Sequence, residues 1–495
     1  MQYQNPVVRG FYPDPSICAA NGKFYLVNSS FQYFPGVPLF ESEDLVNYKQ
    51  IGHVLSQKEQ VYLEGVRSSG GVFAPTIRFH QGRFYMVTNN NSTNENFYVW
   101  TDDIRGNWSA PIVVDQDGID PSLLFDDGHV YFISNGQDEN GTNGVRQCEI
   151  NIETGERLTP SRLLWTGTGG RYIESPHMYK IGDWYYLMVA EGGTEYGHMI
   201  TVARSKSVWG PFESCPYNPI LTNRNKAPNI IQGIGHGDLV QNTDGNWYMV
   251  CLGFRQIHLW QPYHHLGREC FLVPVSFTED GWITAGIDGT CDDSYEIPGD
   301  FIQNRKQVFT FENTSPNLDW IYLRHPVTKN YSIMEDSITL TGSPVTLEEV
   351  SSPTFYGIRQ IDFAMDCSVH CKFQDAAECF ESGITIYMDE QQHYDLALTQ
   401  KEGKTYAVLK LNIGDIKHEQ KRIPLSTNAA KLIIRSDATH YHFFVEENGQ
   451  EQLLGDAQSR YLSSEVASGF TGVIIGLYAI GEGKSTFHSF CKSYQ

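Results

Sequence analysis

The sequence has no apolar run long enough to cross a bilayer, no excess of positive charge and no metal-ligand spacing of cysteines, and each absence removes a class of function. The longest apolar candidate, around Val473 to Ile480, has the length of a strand and contains Gly476; a spanning helix needs roughly 20 apolar residues. Against 58 Asp and Glu there are 36 Lys and Arg, a formal charge of −22. That balance repels nucleic-acid phosphates and anionic lipid, and favours a neutral partner such as a carbohydrate. The first residues, Met1-Gln2-Tyr3-Gln4-Asn5-Pro6, lack the basic segment and apolar core of a secretory leader. A cytoplasmic location is the expectation, with secretion after removal of a leader as the alternative. The 10 cysteines include no C-x-x-C pair, even where Cys367, Cys371 and Cys379 come close together. They are expected to be mostly free, buried thiols of a reducing compartment. Asn28, Asn91 and Asn107 head N-x-S/T sequons, a motif frequent by chance that does not outweigh the missing leader.

What the chain does contain is length, aromatic residues and a repeat. Its 495 residues exceed one ordinary core, so two domains, one of them large, are expected. Aromatic residues make up 13%, and their faces suit both β-sheet packing and stacking on sugar rings. The segment Asn21-Gly22-Lys23-Phe24-Tyr25-Leu26-Val27 returns at residues 81–87, 127–133, 182–188 and 244–250. Its glycines, Gly22, Gly82, Gly128, Gly182 and Gly245, are 60, 46, 54 and 63 residues apart. That is room for about four strands with their turns, the size of a propeller blade. Each glycine sits where a tight hairpin needs positive φ, and the aromatic and β-branched residues after it suit a half-buried strand. A weaker pattern, as in residues 42–48, 101–108 and 205–211, predicts the turns between third and fourth strands. The architecture expected for residues 1–300 is a five-bladed β-propeller.

About eight residues ahead of each glycine comes an inner segment: Asp14-Pro15-Ser16, Ala74-Pro75-Thr76, Asp120-Pro121-Ser122, Glu174-Ser175-Pro176 and His236-Gly237-Asp238. Innermost strands surround a central channel, so equivalent positions converge on one cavity. Asp14, Asp120 and Glu174 are therefore expected to meet in one register, with Ala74 and His236 in the two non-acidic places. Each acid alone could be a turn residue bonding nearby amides; three in one register point to catalysis.

The repeat stops after Trp282, and Glu296-Ile297-Pro298-Gly299-Asp300 reads as a linker. From about Val308 onward come short β-rich runs, including residues 337–340, 383–387, 431–435 and 440–445, and no helix-period segment of useful length. Residues 301–495 are expected to form a β-sandwich, jelly-roll-like, making the whole chain all-β. Such a domain could bind carbohydrate, stabilise the propeller or act as a lid.

The combination Tyr12-Pro13-Asp14-Pro15-Ser16, Asp120-Pro121-Ser122, Glu174-Ser175-Pro176-His177, Gly235-His236-Gly237-Asp238-Leu239 and Leu266-Gly267-Arg268-Glu269 resembles glycoside hydrolase family 43. The resemblance is to the β-xylosidase and α-L-arabinofuranosidase members with a C-terminal β-sandwich. Ser352-Pro353-Thr354-Phe355 and Gly469-Phe470-Thr471-Gly472 extend it into the second domain. It implies hydrolysis with inversion at the anomeric carbon, with Asp14 as general base, Glu174 as general acid and Asp120 raising the pKa of the acid and orienting it. An inverting hydrolase needs one ionised and one protonated carboxyl group, so something must push their pKa values apart.

By the same resemblance Arg268 bonds sugar hydroxyls, and Phe31 and Phe73 are candidate apolar walls, although many relatives place tryptophan at the latter. Phe470 closes the pocket from the second domain. His236 faces the propeller axis, where the resemblance allows contact with a calcium ion, although no cofactor is required and a neutral imidazole is a poor first ligand for so hard a cation. Ser175 stands where many relatives have glycine. The implied substrates are xylo-oligosaccharides or arabinoxylan fragments, cut at a terminal β-1,4-linked D-xylose or at α-L-arabinofuranose; oligomeric state is left open. The fructosidase group shares the architecture but works through a nucleophile, and its Asn-Asp-Pro-Asn-Gly and Arg-Asp-Pro blocks do not occur in this sequence. A sugar-binding propeller without catalysis is the non-enzymatic alternative.

Overall fold

The computed structural model describes residues 1–258, 262–311 and 318–494. Five four-stranded antiparallel sheets, each built from consecutive segments, form the blades of a five-bladed β-propeller. Blade one, for example, runs Ser16–Ala20, Lys23–Val27, Gly36–Ser42 and Lys49–Leu55. The innermost strands of the other blades are Thr76–His80, Ser122–Asp126, Glu174–Ile181 and Ile231–Gln241. In every blade the predicted hairpin joins the inner strand to the aromatic strand that follows. Period-2 burial places rings such as Phe24, Phe84 and Phe132 between neighbouring blades.

The ring is tied by the N-terminus. Gln2–Gln4 pairs with Ser294–Glu296, and the Tyr3 hydroxyl and Asn5 amide both donate to the Leu272 carbonyl of blade five, at 2.9 and 3.0 Å. The repeat therefore continues beyond Trp282, through a fourth strand at Ile283–Ala285 and this closing pair.

The second half is a sandwich of two eight-stranded sheets. Along Met365–Gln374 the alternate residues Met365, Cys367, Val369, Cys371 and Phe373 are buried, facing a core that includes Trp320, Tyr394 and Phe487. One sheet takes its last strand from the propeller: Tyr33–Phe34 pairs with Trp320–Leu323. Arg324, fully buried, donates to the carbonyls of Val66 and Ser351 and pairs with Glu390. Arg359 lies over the Tyr12 ring at 4.3 Å, and its Nε donates to the Phe11 carbonyl at 2.7 Å. The sandwich thus grips the two segments that lead into the pocket of blade one. All 10 cysteines are free; eight are buried, Cys379 is exposed and Cys491 is half-buried.

Candidate active site

The innermost strands open at one end onto a cavity of about 1120 Å³ lined by Asp14, Ala74, Asp120, Glu174 and His236, one residue from each blade. Arg268, Phe31, Phe73 and Phe470 line it as well. The repeat therefore brings together the residues it was expected to bring together, with two corrections to their placement.

Asp14 lies two residues ahead of its inner strand rather than on it, and so does Asp120. Both have φ 52°, a left-handed conformation that Asp tolerates better than most residues. The second correction concerns Glu174. In blades one to three the hairpin turns are Asn21-Gly22, Gln81-Gly82 and Asp127-Gly128, with glycine second and both residues at positive φ. In blade four Ile181 pairs with Trp184, so the turn is Gly182-Asp183, with glycine first. A turn with positive φ only at its first residue wants glycine there. The residue equivalent to Asp14 and Asp120 is consequently Ser175, at φ 53°, and Glu174 stands one place earlier. A bulge between Glu174 and His177 absorbs the difference, and through it the Ser175 N–H reaches Asp120 Oδ2 at 3.0 Å.

Asp14 is buried and well supplied with donors. Arg268 donates to its Oδ1 at 2.8 Å and the Ser29 hydroxyl to its Oδ2 at 2.5 Å. Burial acts to raise this carboxyl, but Arg268 and Ser29, with the nearby imidazoles, outweigh it and hold it below its ordinary value. The backbone ahead of it is fixed by Asn28, whose amide donates to the carbonyls of Tyr12 and Pro13 at 2.8 and 3.0 Å.

Glu174 is the opposite case. Burial, then the charge of Asp14, push its carboxyl up to about 7, with Arg268 opposing. Asp120 is raised well above its ordinary value by burial, by Glu174 and by Asp14. Glu174 and Asp120 titrate as a pair. The Ser175 N–H favours the ionised form of Asp120, and among the described residues no hydrogen bond reaches Glu174. One side chain ties the two together: Asn135 accepts the Ile119 N–H at 2.9 Å and donates to the Ile173 carbonyl at 3.0 Å. Those are the residues immediately before Asp120 and Glu174.

His236, at φ 49° in a bulged strand, holds Nδ1 3.8 Å from Asp14 and 4.0 Å from Asp120. Burial pushes its imidazole below the ordinary value. Two residues along the same strand, Asp238 binds Arg78 at 2.7 and 3.1 Å, and Arg78 also reaches His177 at 2.9 Å. A guanidinium from blade two thus crosses the channel to blades four and five. Calcium needs six to eight oxygen ligands, and among the described residues no three His, Cys, Asp or Glu side chains converge as a metal set.

Arg268 also donates to Thr194 Oγ1 at 3.0 Å and to the Phe470 carbonyl at 3.2 Å. Phe31, buried, packs with Phe73 and Phe470 at centroid distances of 5.3 and 6.1 Å. Phe470 is 40% exposed and belongs to the pocket rather than to the sandwich core. Beside it Glu465 accepts from the His264 N–H at 3.0 Å, bonds His264 Nδ1 at 2.7 Å and accepts the Tyr196 hydroxyl at 3.0 Å. The second domain therefore forms part of the pocket wall. Ser29, Asn135, Thr194, Tyr196 and Glu465 had not been picked out from sequence. Ser29 lies two residues past a repeat strand and Thr194 directly follows a Gly-Gly pair, which is the available signal.

Residues 3–283 match the family model "Glycosyl hydrolases family 43", and residues 308–490 match "Beta xylosidase C-terminal Concanavalin A-like domain". The chain belongs to glycoside hydrolase family 43. A non-reducing end alpha-L-arabinofuranosidase of Bacteroides ovatus is 40% identical over 98% of this chain and 92% of its own. A xylosidase/arabinosidase of Butyrivibrio fibrisolvens is 36% identical over 97% and 96%. The solved Bacteroides ovatus Xyloglucan PUL GH43B structure superposes with a TM-score of 0.93 at 38% identity, covering 100% of both chains. This family 43 chain is accordingly a glycoside hydrolase with the two-domain architecture read from its sequence.

Proposed function

We propose that the protein is an exo-acting, inverting glycosidase that removes a single terminal pentose, β-D-xylose from xylo-oligosaccharides and also α-L-arabinofuranose. The observation that carries this reading is two carboxyls in one pocket whose surroundings push them in opposite directions: Asp14 is bonded by Arg268 and Ser29 and held below its ordinary value, and Glu174 is raised by burial and by Asp14. Asp14 takes a proton from water as the water oxygen bonds the anomeric carbon. The bond to the leaving oxygen breaks, and that oxygen takes the Glu174 proton. Asp120 disfavours the Glu174 anion and, through the Ser175 N–H, orients it.

The aromatic wall of Phe31, Phe73 and Phe470 suits one sugar ring, and the segment around Phe470 restricts the pocket to a chain end. The lining also contributes Arg67, Arg171, Glu348, Asp389 and Glu465, a polar surface of mixed sign that suits uncharged oligosaccharides. Both sugars present similar hydroxyls to Arg268. The names of the relatives include both activities, and α-L-arabinofuranose as the main substrate is the second reading, favoured by the 40% identical relative.

Xylobiose, arabinoxylan fragments and the two aryl pentosides decide between them, with the released anomer followed by NMR. Turnover with inversion that disappears in Asp14→Ala is expected. Retention of configuration, or undiminished activity in both Asp14→Ala and Glu174→Gln, overturns the assignment.

A further inference from the structure

Three carboxyls are fully buried outside the reaction scheme; Asp238 and Glu269 pair with Arg78 and Arg255, whereas Glu191 is held by amides and hydroxyls. Glu191 ends the second strand of blade four, Trp184–Glu191, and is fully buried. Its oxygens accept from the Thr168 N–H at 2.9 and 3.1 Å, the Thr168 hydroxyl at 3.1 and 3.2 Å, the Gly170 N–H at 2.8 Å and the Thr201 hydroxyl at 2.6 Å. Every contact is a donor, so the group serves as an acceptor through both oxygens. A buried acid in an otherwise apolar strand is costly unless it is fully hydrogen-bonded, and here every bond except that from Thr201, on the neighbouring strand, goes to the turn at residues 167–170.

That turn is shaped around the carboxyl. A Cβ on Gly167 would stand 2.9 Å from it, and one on Gly170 would stand 2.8 Å from Oε2. From Gly170 the chain runs through Arg171, Tyr172 and Ile173 to Glu174. The Arg171 carbonyl accepts the Gly192 N–H at 2.7 Å, next to Glu191, and the Ile173 carbonyl is held by Asn135. Glu174 itself pairs with Ala190, the neighbour of Glu191.

We infer that Glu191 is a positioning residue for Glu174. By clamping the 167–170 turn it sets the approach of the strand that presents the acid, and with it the angle at which the proton meets the leaving oxygen. Glu191 does not touch the substrate. The inference rests on the reading of Glu174 as general acid, and it separates from a merely structural role because protonation matters only for leaving groups that need it.

The wild type is first assayed on a 2,4-dinitrophenyl pentoside and on xylobiose or its arabinofuranosyl counterpart; no turnover in either series overturns the reading of the site and this inference with it. In the series that is turned over, Glu191→Ala and Gly170→Ala are compared with wild type. Gly170→Ala keeps the carboxyl but displaces the turn, and it carries the test alone if Glu191→Ala does not fold. The expected result is a fall of about 10²-fold in kcat on the disaccharide, the scale of a misplacement near 1 Å. The dinitrophenyl glycoside, whose leaving group departs without a proton, loses about tenfold or less, with KM nearly unchanged in both cases. Glu191→Gln, which keeps one acceptor oxygen, falls between Glu191→Ala and wild type. Equal losses on the two leaving groups, a change confined to KM, or no change overturns the inference while leaving the function of the site intact.

Discussion

Replacing Glu174 by glutamine removes a proton that burial and the Asp14 charge retain on the carboxyl up to about pH 7, against an ordinary value of 4.5. At pH 6 about nine-tenths of a group titrating near 7 is protonated, compared with about 3% of one near 4.5. The shift therefore supplies about thirty times more acid, or about 2 kcal/mol of barrier. The sign follows from the direction. A carboxyl raised in the folded enzyme is competent as an acid below about pH 7 and loses that function as pH rises through it. The wild-type kcat/KM is expected to fall about tenfold per pH unit on the alkaline side. Glu174→Gln is expected to lose about 10²–10⁴-fold on xylobiose, far less on a dinitrophenyl glycoside, and to lose the alkaline limb altogether. Initial rates between pH 4 and 9 on both substrates measure this. An alkaline limb that survives in Glu174→Gln, or wild-type activity already declining through pH 5, refutes the assignment of the proton.

Arg268→Met leaves the Asp14 charge buried without its 2.8 Å partner and is expected to cost about 3–5 kcal/mol in chemical denaturation. Asp14→Asn combined with Arg268→Met should recover part of that loss, and additive single losses would show that the pair is not coupled. Asp120→Asn removes a negative neighbour of Glu174 and should move the alkaline limb of kcat/KM toward lower pH; an unmoved limb means that Asp120 acts by geometry alone. Phe470→Ala opens the wall shared with Phe31 and Phe73 and is expected to raise KM about tenfold with little change in melting temperature. Asn135→Ala frees the residues ahead of both Asp120 and Glu174 and should lower kcat with KM held, whereas a loss seen only in stability would count against a link between the two carboxyls.

Much of the fold was legible because its signals are local. A turn glycine followed by an aromatic strand needs no distant partner to be recognised, and five copies at blade spacing specify the propeller; alternation and turn residues likewise mark the sandwich. The same locality explains the misplacement of Glu174. Counting back from Gly182 assumes that glycine is the second residue of every turn, and only the strand pairing of Ile181 with Trp184 shows that it is the first. Bulges such as the one after Glu174 depend on how a strand must bend to meet the axis, which is a property of the closed ring.

The sequence by itself determined the class of the protein, its two-domain order and the three carboxyls, since each is encoded in short-range pattern and in repetition. Tertiary structure alone decided what those carboxyls are chemically. Arg268 lies 254 residues from Asp14, Phe470 lies 439 residues from Phe31, and Arg78 reaches Asp238 across 160 residues. Burial and opposed charges can separate the pKa values of Asp14 and Glu174 only after the ring has closed and the sandwich has covered its mouth, because desolvation belongs to the assembled pocket and to no segment of the chain.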